Sequence, residues 1–174
     1  MSERKRRIIT PDESTCDWIL TTTFADWLRQ RSPGMFWICG KPGSGKSTMM
    51  KFISQNADVR DCLPPRLGGW LLLDFFFDFR QTNEIGNSAE GLMRSLLHQL
   101  LEGLPELQSE LFADLRSQVE FPHLVQSDLR HLFKQVLQVV SSNILVLVDG
   151  IDEFPGNLRR LMELLMVLER FSNL

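Results

Sequence analysis

Short apolar runs alternate with longer amphipathic stretches along this chain, and that alternation predicts its elements. Residues 35–39 (MFWIC) are apolar between glycine-bearing segments, which predicts a buried strand. Residues 70–79 (WLLLDFFFDF) follow Pro64-Pro65 and Gly68-Gly69 and predict a second strand, covered on both faces. Residues 144–148 (ILVLV) are uncharged and rich in β-formers, the clearest strand of the three. Between them Ala89, Leu92, Met93, Leu96, Leu97, Leu100, Leu101 and Leu104 recur at spacings of three and one, predicting a helix over 89–104 with Asn87 and Glu90 as its capping pair. Further helices are predicted over 47–54, 128–140 and about 157–171. Trp18, Ile19, Phe24, Trp27 and Leu28 predict one or two short helices packed on the body. Strands separated by helices define an α/β domain with a parallel sheet and right-handed crossovers.

Composition narrows the partners more than the fold. The 174 residues, 43% hydrophobic and 24% charged, suit one globular domain. A formal charge of -3 leaves no basic footprint, so nucleic acid is not an expected partner. The run Arg4-Lys5-Arg6-Arg7 is read as part of a solvated, poorly ordered basic arm over residues 1–13, in preference to a nuclear signal. No apolar stretch approaches the roughly 18 residues of a membrane helix, and no apolar block opens the chain as a signal peptide would. Cys16, Cys39 and Cys62 are scattered, as expected for reduced thiols in a cytoplasmic protein, with Cys39 inside the first strand and so in the core. His98, His123 and His131 form no ligand-spaced cluster, so no zinc site is expected.

The chemistry concentrates at two places. Gly40-Lys41-Pro42-Gly43-Ser44-Gly45-Lys46-Ser47 matches G-x-x-x-x-G-K-[ST] in full, with an apolar run before it and a helix after it. Triphosphate oxygens require converging backbone N–H groups, which a glycine-rich turn supplies, and the helix N-terminus adds its dipole. Lys46 would neutralise the β- and γ-phosphates, Ser47 would ligate Mg²⁺, and Thr48 would reach the α-phosphate. A glycine-rich surface loop is the competing reading. Average residue usage yields this pattern by chance in roughly one in a few hundred chains of this length. The second place is ILVLV followed by Asp149-Gly150-Ile151-Asp152-Glu153. An acid ending a strand stands at the carboxyl edge of the sheet, where open α/β folds bind ligands. Asp149 would hold Mg²⁺, and Asp152 or Glu153 would polarise a water for attack on the γ-phosphate. An acidic loop capping the last helix is the alternative.

Residues 36–53 (FWICGKPGSGKSTMMKFI) and 14–20 (STCDWIL), continued by FFFDF, GLMRSLLHQLL and ILVLVDGIDEF in that order, resemble fungal NACHT-type signal-transduction NTPases and the nephrocystin-like N-terminal NTPase domain. The resemblance spans about residues 14–170 and makes 14–174 a NACHT-type P-loop NTPase core. It implies the three-layer P-loop NTPase sandwich around a parallel sheet, with Asp152 and Glu153 as hydrolysis residues. It also implies a nucleotide-controlled switch that self-associates or co-assembles with related NACHT proteins. In that family a further strand with a polar sensor residue lies between the strands equivalent to 35–39 and 144–148. The chain ends before it, so the sheet is expected to be partial, with a vacant slot, and turnover by the isolated chain to be slow or absent.

Mg²⁺ with ATP is therefore the expected cofactor pair. GTP is a second possibility that the lack of an N-K-x-D motif disfavours. A non-catalytic scaffold is the other class, with the 89–104 stripe and the open sheet edge as its binding surfaces.

Overall fold

Two strands lie side by side in parallel at the centre of the chain: β1 (Trp70–Phe76) and β2 (Asn143–Asp149), in register from Trp70 against Asn143 to Phe76 against Asp149. The computed structural model describes residues 3–12, 14–30, 34–66, 68–80, 87–104, 126–140 and 142–171. Around the sheet stand α1 (Glu3–Arg7), a 3-10 turn (Asp17–Thr21), α2 (Thr23–Arg29), α3 (Lys46–Gln55), α4 (Ala57–Asp61), α5 (Ala89–Gly103), α6 (Gln126–Val139) and α7 (Leu158–Phe171). The protein is thus a mixed α/β domain with a small parallel sheet. Among the described residues no helix is long and apolar enough to cross a membrane.

Strand alternation sends successive side chains to opposite faces, and both faces are apolar. Leu73 and Phe75, with Ile144, Val146 and Val148, meet α5, α6 and α7. Leu72, Leu145 and Leu147 meet α2 and α3 through Phe24, Leu28 and Ile53. Helices therefore cover the sheet on both sides, and the 89–104 stripe is core: Leu92, Leu96 and Leu100 are fully buried. Each such leucine contributes about 1.5–3 kcal/mol by leaving water. The outer edge of β1 is closed by one side chain. The Gln99 amide of α5 accepts from the Asp74 N–H at 2.9 Å and donates to the Asp74 carbonyl at 2.8 Å.

Several expectations shift. The α5 cap is Ser88, whose hydroxyl accepts from the Gly91 N–H at 3.0 Å. Asn87 is instead buried, with its Oδ1 accepting from the Asp78 N–H. Residues 35–39 form no strand. A ladder needs a neighbour about 4.8 Å away, and between residues 34–40 and β2 lies a cavity of about 550 Å³ lined by both. Side chains hold the segment in place of a ladder: Phe36 packs edge-on to Phe24 and against Trp27. Cys39 is consequently exposed and not core. The N-terminal basic stretch, expected to be a loose arm, forms α1 and docks on the acids described below. His123 lies outside the described residues; His98 and His131 sit exposed on helices.

Candidate functional site

The loop that enters α3 turns on glycines. Gly43 and Gly45 have φ of +77° and +84°, a left-handed conformation costly for any residue with a Cβ. Gly45 is the N-cap of α3, so the unpaired N–H groups of the first helical turn open toward the loop. Lys46 begins the helix, and its Nζ donates to the carbonyls of Gly40 at 2.8 Å and Lys41 at 3.1 Å. The ammonium thus folds back over the loop 40–45. Pro42 and Ser44 stand exposed on that loop, while Ser47 and Thr48 are half-buried in the first turn.

β2 delivers Asp149 to the same place. As the partner of Phe76, it points to the α3 face of the sheet. It is 6% exposed, and its Oδ2 is buried with no hydrogen-bond partner among the described residues. Burial raises the carboxyl's pKa; the nearby Ser47 hydroxyl, Arg4 and the Gly150 N–H partly oppose that rise, and Glu153 adds to it. A buried carboxylate oxygen without a donor, beside a serine hydroxyl, is the oxygen pair that suits a hard divalent cation.

After Asp149 the chain must turn at once. Gly150 does so at φ +70°, where a Cβ would come within 2.8 Å of the Phe77 carbonyl oxygen. A 3-10 turn (Ile151–Glu153) follows and sends its two acids to different places. Asp152 is exposed and lines the cavity together with Gly40, Pro42 and Lys46. Glu153 is tied down: Oε2 accepts from the Phe79 N–H at 3.2 Å and Oε1 from Arg4 Nη2 at 2.6 Å.

Sequence reasoning missed Arg4, Arg7 and Asp78. Asp78 is 1% exposed just past β1, and its Oδ1 accepts from Arg4 Nη1 at 3.1 Å while Oδ2 faces Arg7 Nη2 at 3.1 Å. Burial works to lower the Arg4 pKa, but Glu153, Asp78 and Asp149 outweigh it and the pKa is raised. Lys5 completes the docking by pairing with Asp74 over the Phe76 ring. A cue existed in the sequence: two aspartates inside the apolar run WLLLDFFFDF need cations, and the basic run at residues 4–7 holds four.

Residues 14–173 match the family described as nephrocystin 3, N-terminal. The chain belongs to that family. It is also 28% identical over 159 residues to vegetative incompatibility protein HET-E-1 of Podospora anserina, a match that covers 88% of this chain and 11% of that protein. The chain therefore spans about a ninth of that relative's length. Together these likenesses support the NACHT-related resemblance read from the sequence. No solved structure matches the chain.

Proposed function

We propose that this chain is a Mg²⁺-dependent ATP-binding module of a NACHT/STAND-type signalling NTPase, built as a P-loop NTPase sandwich, with slow or absent hydrolysis. One observation carries the reading: Ser47, in the first turn behind a left-handed glycine loop, stands beside Asp149, whose buried Oδ2 lacks a donor among the described residues. Two segments a hundred residues apart meet with the donors that a metal-bound polyphosphate requires.

The parts divide as follows. Backbone N–H groups of Gly40, Lys41, Gly43, Ser44, Gly45, Lys46, Ser47 and Thr48 cradle phosphate oxygens, and Pro42, which has no N–H, is the loop's rigid corner. Lys46 moves its ammonium from loop carbonyls to the β- and γ-phosphates. Ser47 and Asp149 hold Mg²⁺, which when bound neutralises phosphate charge. Asp152 and Glu153 are the candidates for orienting water. The similarity to a vegetative incompatibility protein supports a signalling role over a metabolic one.

A second reading has its own support. The cavity between residues 34–40 and β2 is largely apolar and open, and Trp37 stands exposed beside it. That suits self-association, or co-assembly with related NACHT proteins, as a scaffold. The 89–104 stripe cannot serve this role, because it is buried.

Displacement of a fluorescent ATP analogue separates the readings. ATP with Mg²⁺ should displace it from the chain, and the Lys46→Ala variant should bind the analogue about 10–100-fold more weakly. Stronger displacement by GTP would reassign the base, and no binding by either protein would leave the scaffold reading.

A further inference from the structure

We propose that α1 is a latch on this site: Arg4 ties Glu153 to the buried Asp78, and Glu153 becomes free to orient water only when Arg4 lets go. The inference rests on the nucleotide-site reading and adds its regulation.

Three observations carry it. Both oxygens of Glu153 are engaged, Oε1 by Arg4 at 2.6 Å and Oε2 by the Phe79 N–H at 3.2 Å. A carboxylate held by a guanidinium is a weaker acceptor for a water proton than a free one. The hold is also built to open. A five-residue helix is far below the length at which helices persist alone, and four adjacent cations repel one another. The helix is therefore held in place by Asp74, Asp78 and Glu153, with Lys51 Nζ donating to the Ile8 carbonyl behind it. Finally, Arg4 Nε is buried with no partner among the described residues, so the docked state carries a poorly compensated donor that undocking relieves.

The arrangement places one cation of the chain's own among Asp78, Asp149 and Glu153. Removal of that cation leaves the phosphate loop untouched. Its effect should fall chiefly on turnover, with only a small change in binding through Asp149.

The test compares the full chain with Arg4→Ala, with Arg4→Lys, whose single ammonium cannot span both carboxylates, and with Arg4→Ala/Glu153→Gln. The latch predicts fluorescent-ATP affinity within about twofold in all of them. It predicts ATP turnover raised about tenfold in Arg4→Ala, the factor carried by one hydrogen bond to a charged group. Turnover should rise less in Arg4→Lys and fall below the parent in the double variant. Trypsin should cut at Lys5, Arg6 and Arg7 faster once Arg4 is replaced, a readout independent of activity. Turnover that falls in Arg4→Ala at unchanged affinity would overturn the latch and make Arg4 a positioning residue. Equal or absent turnover in parent and variant, with nucleotide bound, would also overturn it. Failure of every protein to bind nucleotide would instead overturn the underlying site reading.

Discussion

Ser47, in the first turn of α3, stands beside Asp149 at the carboxyl end of β2, and the buried Oδ2 of Asp149 has no hydrogen-bond donor among the described residues. An acid kept in that position is costly unless something else uses it.

Asp149→Asn should therefore stabilise the ligand-free chain while weakening Mg²⁺-dependent nucleotide binding at least about tenfold. Burial raises the Asp149 pKa above its unfolded value, so the folded chain holds this proton more tightly. Ionised Asp149 then costs stability at neutral pH, and that cost is relieved as pH falls through the raised pKa. The variant should melt at a higher temperature than the parent at pH 7. The gap should close by about pH 4, near the ordinary carboxylate value. Thermal melts across that range check it.

Gly150→Ala should be harmful out of proportion to its one methyl group. The new Cβ would meet the Phe77 carbonyl oxygen at 2.8 Å in a left-handed conformation. Strain of about 1–3 kcal/mol is expected, with weaker nucleotide binding as Asp149 shifts. A denaturant titration beside a binding curve measures both.

Lys46→Ala should leave the melting temperature within a few degrees, because the ammonium's partners are exposed loop carbonyls. Nucleotide affinity should fall about 10–100-fold, the range for a lost hydrogen bond to a charged group. Fluorescence titration of folded variant and parent gives the ratio.

Leu96→Ala distinguishes core from surface. Leu96 is fully buried between α5 and β1, and the substitution should cost about 2–5 kcal/mol. A binding-surface role for the 89–104 stripe would predict an unchanged melt.

How far these features are legible in sequence depends on the range of the interactions behind them. β2 follows from an uncharged β-rich run and matches within a residue at each end, and α5 follows from its leucine spacing. The cap of α5 is misplaced by one, because Asn87 and Ser88 are both capping residues and only burial of Asn87 against Asp78 separates them. Residues 35–39 read as a buried strand because the run is apolar, but burial and pairing both need a neighbour, and beside the cavity the segment is left half-buried or exposed. The docking of α1 is invisible to local pattern. Arg4 and Glu153 are 149 positions apart, and a charge run reads as solvated until its acids are found. Loop and acid motifs were legible as types; that Glu153 is tied down while Asp152 lines the cavity was not.

Calorimetry of ATP binding with and without Mg²⁺, at neutral pH, tests the central claim most directly. Saturable binding to one site that weakens at least tenfold on Mg²⁺ removal, and in Asp149→Asn, is the predicted result. Binding of equal strength with and without the cation, or no binding heat at all, would contradict it.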